Sequence, residues 1–98
     1  MNRPAPDQEF WNVADGFIAL ANQRCDTVGS GKVSAAMLYS AARFNAFVAA
    51  SGAKSKEQYI AERENTVAYF AAQFDKMLRE NLSDYEANYE KYIGETRA

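Results

Sequence analysis

The chain has 98 residues, 48% of them hydrophobic and 24% charged, a balance that fits one small folded domain and excludes a disordered or collagen-like chain. Its net charge is −2, whereas nucleic-acid binding calls for clustered Lys and Arg, so no nucleic-acid partner is expected. Histidine is absent, which removes the commonest metal ligand and general base and with them zinc sites and Ser-His triads.

Proline occurs only at positions 4 and 6, leaving a long stretch free of helix-breaking rings, and helices are expected to dominate. Asp7 follows Pro6 as a capping or first-turn acid, and Phe10, Ala14, Phe17 and Ala21 recur at helical spacing, with Trp11, Ile18 and Cys25 adjoining that face. A first helix is predicted over about 7–26. Asp26, Thr27, Gly29, Ser30 and Gly31 then supply turn chemistry, with Gly29 suited to a left-handed C-terminal position and Ser30 to capping the next helix.

A second helix, about 32–51, is apolar on nearly every side through Val33, Ala36, Met37, Ala41, Phe44, Phe47 and Val48, and so should lie buried at the centre of the fold. Its many alanines would let neighbours approach closely. This stretch is broken by Ser34, Ser40, Arg43 and Asn45, and it reads as a core helix, with no membrane span expected. Gly52 ends it, and Ser55-Lys56-Glu57-Gln58 forms a capping box in which Ser55 accepts from an amide and Gln58 reaches back.

The third helix starts there. Ile60, Val67, Phe70, Ala71, Phe74, Met77, Leu78 and Leu82 hold one apolar stripe, and Asp75 and Arg79 stand at i,i+4 for an ion pair. Ser83-Asp84-Tyr85-Glu86 reads as a second capping box, predicting a bend near Leu82 and a short fourth helix ending at Gly94. The expected fold is all-α: an up-down antiparallel bundle of three main helices plus a short C-terminal helix. Residues 7–94 are expected to form the single domain, between a disordered N-terminal tail at 1–6 and a C-terminal tail at 95–98.

Charge varies along the chain. Residues 1–26 carry a net −2, 27–54 a net +3 without an acid, 55–82 a net −1 and 83–98 a net −2. Arg43 is the one charge between Val33 and Ala53, and a guanidinium in a buried helix demands partners. Reflecting position 43 through a turn near 29 reaches Asp15, and through one near 53 reaches Glu62 to Glu64. A polar cluster of Asp15, Arg43, Asn45 and Glu62 or Glu64 is therefore expected, either fixing helix register or forming the floor of a pocket for an anionic ligand.

Tyr85, Tyr89 and Tyr92 form an i, i+4, i+7 stripe whose rings and hydroxyls suit an interface, sealing the end of the bundle or binding a second subunit. Elsewhere the chemistry is sparse. Cys25 has no imidazole to activate it and reads as a small buried hydrophobe; Gly29-Ser30-Gly31-Lys32 lacks both the Walker spacing and a preceding strand, although amides at a helix start beside Lys32 could hold a phosphate. No catalytic residue, metal or cofactor is assigned.

Several segments carry a resemblance: Gln8-Glu9-Phe10-Trp11, Ala14-Asp15-Gly16-Phe17-Ile18, Gly31-Lys32-Val33-Ser34-Ala35-Ala36 and Ala42-Arg43-Phe44-Asn45-Ala46-Phe47, continuing through Phe74-Asp75-Lys76-Met77-Leu78 and Asn81-Leu82 to Tyr89-Glu90-Lys91-Tyr92. Together they resemble a family of short bacterial proteins known only as a domain of unknown function, over about residues 8–93. That resemblance implies no activity, ligand or catalytic residue. The lone cysteine and the absence of an apolar leader point to the cytoplasm. The expected role is non-enzymatic, through protein-protein contacts and most simply as a homodimer; the competing expectation is a binder of a small anionic ligand, or an unrecognised enzyme, with its pocket at Arg43.

Overall fold

The computed structural model describes residues 6–94, so most of the expected tails, 1–5 and 95–98, lie outside the described residues. The protein is all-α: α1 spans Gln8–Val28, α2 Ser30–Gly52, α3 Lys56–Ala61 and α4 Arg63–Ala87, and a π-helical turn at Glu90–Gly94 comes after them. Two compact units divide the chain after Val48, the first holding α1 and most of α2, the second holding the end of α2, α3, α4 and the π-helical turn.

In the first unit, the carboxylate of Asp7 accepts the Phe10 amide at 2.8 Å, capping one of the amides that a helix start leaves unpaired. The other end of α1 closes at Gly29, whose amide donates to the Cys25 carbonyl at 3.0 Å. Gly29 has φ 89° and ψ 151°, a region essentially confined to glycine; it ends the helix as expected, but with an extended ψ instead of that of the left-handed helical position. Its own carbonyl accepts the Val33 amide at 3.2 Å, so one residue ends α1 and opens α2. Ser30, expected to cap the second helix, instead lies inside its first turn.

In the second unit, Ser55 caps α3 by accepting the Gln58 amide at 3.1 Å. The Gln58 side chain does reach back, but to the Lys54 amide at 2.6 Å, one residue before the cap. Asp75 and Arg79 pair at 2.9 Å as their spacing predicts. Both are well exposed, so the pair adds only a few tenths of a kcal/mol, roughly 0.3–0.5.

Two boundaries differ from the sequence expectation. The predicted long third helix is interrupted at Glu62, which closes α3 and opens α4 with φ −92° and ψ 0°, and it runs through the predicted bend at Leu82 as far as Ala87. Both ladders meet at Glu62, whose amide donates to the Gln58 carbonyl at 3.0 Å and whose carbonyl accepts the Thr66 amide at 2.9 Å. At Ser83 nothing forces a break: no glycine or proline is near, and serine inside a helix costs only a fraction of a kcal/mol, about 0.5. The expected fourth helix is reduced to the π-helical turn.

The larger correction concerns burial. The apolar pattern of the second helix predicts enclosure, yet Val33, 8% exposed, is the one buried residue among those described. Phe44 is 63% exposed and Phe47 and Val48 are exposed too, as are Val67, Phe74, Leu78 and Leu82 along α4. The physical reason is that an apolar pattern states which faces avoid water and says nothing about which molecule covers them.

Candidate functional site

Arg43, the centre of the expected polar cluster, stands exposed on α2, and Asn45 is half-buried. Asp15, in the same unit, is also exposed and forms no ion pair with Arg43. In the second unit Glu62 accepts the Asn65 side-chain amide at 3.1 Å, and Glu64 lies 3.9 Å from Arg63. Both acids are thus engaged by residues one to three positions away on α4. The guanidinium does not carry the desolvation that made partners obligatory, because its helix is not enclosed.

The tyrosine stripe is partly assembled. The rings of Tyr85 and Tyr92 meet with centroids 4.8 Å apart at 59°, while Tyr89 is 42% exposed. What joins Tyr92 to the end of α4 is Asp84, a residue that sequence reasoning missed: its carboxylate accepts from the Asn88 side-chain amide at 3.0 Å and from the Tyr92 hydroxyl at 3.4 Å. The same Asn88 group reaches the Asp84 carbonyl at 3.1 Å, and the Asn88 backbone amide bonds that carbonyl at 3.0 Å, closing the helix. The signal was available in the i,i+4 spacing of Asp84 and Asn88, but Ser83 drew the reading toward a helix start.

Asp84 raises the pKa of the Tyr92 phenol above its ordinary value, first through the hydrogen bond from the neutral hydroxyl and then through repulsion of a phenolate by the carboxylate. Replacing Asp84 by asparagine is therefore expected to let Tyr92 ionise at lower pH. Ultraviolet absorbance titration of the tyrosinates reads this directly, and an unchanged titration curve would disprove the contact.

Other candidates are modest. Cys25 is a half-buried free thiol. A shallow cavity on α1, lined by Leu20, Gln23, Arg24 and Thr27, touches none of the expected site residues. Among the described residues no three His, Cys, Asp or Glu side chains gather to hold a metal ion, and no helix is long and apolar enough to cross a membrane.

The molecule is thus defined by its helices and their bare apolar faces. It belongs to the family described as Protein of unknown function (DUF3144), whose pattern matches residues 10–86, in agreement with the resemblance read from its segments. It is also similar to a solved structure, the NMR structure of the protein NB7890A from Shewanella sp., at 29% identity and a TM-score of 0.73, over 93% of this chain and 97% of that one. No curated protein matches. These comparisons indicate no function.

Proposed function

We propose that this is a non-enzymatic bacterial cytoplasmic protein, a single helical domain over residues 7–94 that acts through protein-protein contacts, most simply as a homodimer. In the assembled protein the three long helices lie up and down, antiparallel, and enclose their apolar faces between them. One observation carries this reading: large apolar side chains on every long helix, among them Phe17, Phe44 and Leu82 at 63, 63 and 61%, stand in water in the single chain. Monomeric proteins rarely leave contiguous apolar faces of this extent uncovered. The alternative of an anionic ligand at Arg43 has no comparable support, since the guanidinium stands exposed and the cavity on α1 lies elsewhere.

Sedimentation equilibrium of the full chain at micromolar concentration tests the proposal. A mass twice the 10.9 kDa of the chain is expected. A mass of one chain at all concentrations, with cooperative unfolding, would reject the homodimer.

A further inference from the structure

The two charges of α2 and two of the acids of α4 share one spacing. Lys32 and Arg43 are eleven residues apart on α2, which carries no acid, and Glu64 and Asp75 are eleven apart on α4. Eleven residues make three turns with a drift of only about 20°, so each pair stands on one line along its helix, about 16 Å between its members. The two lines also match in register. When α2 and α4 run antiparallel, placing Lys32 opposite Asp75 places Arg43 opposite Glu64, both pairs being centred between Ala53 and Lys54.

The flanks agree as well. Ala35, Ala42, Ala46 and Ala49 fall within a sector of about 60° on α2, and Lys32 and Arg43 lie about 80° to one side of it. On α4 the stripe of Val67, Phe74, Leu78 and Tyr85 has Glu64 and Asp75 about 70° away in the same rotational sense. In an antiparallel pair it is flanks of the same sense that meet. The alanine sector of α2 and the stripe of Val67, Phe74, Leu78 and Tyr85 on α4 are complementary in size, small side chains facing large ones.

Both faces are bare. Ala35, Ala42 and Ala46 are exposed and Ala49 is half-buried, while Val67 and Phe74 are 55 and 48% exposed.

We infer that the occupant of the alanine sector of α2 is α4 of a second copy of this chain, held in register by Lys32 against Asp75 and Arg43 against Glu64. This rests on the homodimer reading above and adds its geometry: two equivalent contacts, each joining α2 of one copy to α4 of the other. Glu64 and Asp75 have free acceptor capacity for it, since each is engaged by one exposed arginine of its own helix.

Charge exchange between two variants tests the inference. One carries K32E and R43E, the other E64K and D75K. Each alone faces like charges at both contacts, and its dimer dissociation constant at 0.1 M salt is expected to rise about a hundredfold. Mixed in equal amounts, the two should form a heterodimer of near wild-type affinity, because every contact is again of opposite sign. Loss of helicity by either variant alone does not spoil the test, since the mixture must regain both helical ellipticity and dimer mass. A dimeric wild type whose variants associate unchanged would overturn the charge register and leave the homodimer standing. A mixture that is not rescued would overturn pairing between copies, and recovery only when all four changes share one chain would place the contact within a single molecule. A monomeric wild type would reject the homodimer reading itself.

Discussion

Replacing Phe74 by alanine is expected to destabilise the protein by about 3–5 kcal/mol, the cost of emptying a packed aromatic site. Its exposure in the single chain, 48%, would by itself forecast much less, because a side chain still half in water loses only part of its transfer free energy. The two forecasts separate because Phe74 lies in the middle of the apolar stripe of α4 that the proposed homodimer would enclose. Urea denaturation monitored by circular dichroism, run at two protein concentrations a hundredfold apart, measures both the loss and its origin. In the wild type the midpoint should rise with concentration, as it must when folding and association are linked. A loss below about 1 kcal/mol with a concentration-independent midpoint would mean that this stripe stays in water.

Gly29→Ala is expected to cost about 1–3 kcal/mol, whereas Gly16→Ala should stabilise by about 0.5–1 kcal/mol. A Cβ at either position meets nothing within 4 Å, so crowding cannot separate them. Backbone conformation can: Gly29 has φ 89° and ψ 151°, where a side chain is strained, and Gly16 sits inside α1, where alanine is the better helix former. Thermal midpoints of the two variants should therefore shift in opposite directions. Shifts of the same sign would show that the junction between α1 and α2 has relaxed into another conformation.

The local chemistry of the helix ends was legible in the sequence. Asp7, Gly29 and Ser55 act where their types and positions predict, because capping depends on a few neighbouring backbone groups. The Asp75 to Arg79 pair was legible for the same reason. The break at Glu62 was not, since no glycine or proline marks it and helical hydrogen bonds end and begin at that one residue. Ser83 misled in the opposite direction: Ser-x-x-Glu matches a capping box and also fits an exposed helix interior, and the rest of α4 carries the helix through it.

The candidate sites divide along the same line. The rings of Tyr85 and Tyr92 meet each other, and the residue that holds Tyr92 is Asp84, which their spacing alone does not reveal. Arg43 was placed in a buried cluster because its helix is apolar all round, and that inference assumed that the rest of one chain supplies the cover. Hydrophobic periodicity fixes which positions leave water and carries no record of how many molecules take part. The eleven-residue spacing of Lys32 with Arg43 and of Glu64 with Asp75 adds a register to that pattern, because charges select which positions meet.

The junction at Gly29 has a consequence for how sequences of this kind can vary. With a single residue separating the two helices, there is no slack to take up a change in length. One extra amino acid absorbed into the start of α2 would turn every later side chain of that helix by about 100° relative to α1. Alanines would then stand where phenylalanines had been, and the line of the two bases would turn with them. Substitutions can accumulate around this corner, but insertions and deletions should be excluded from it, in contrast to the looser stretch between Gly52 and Lys56.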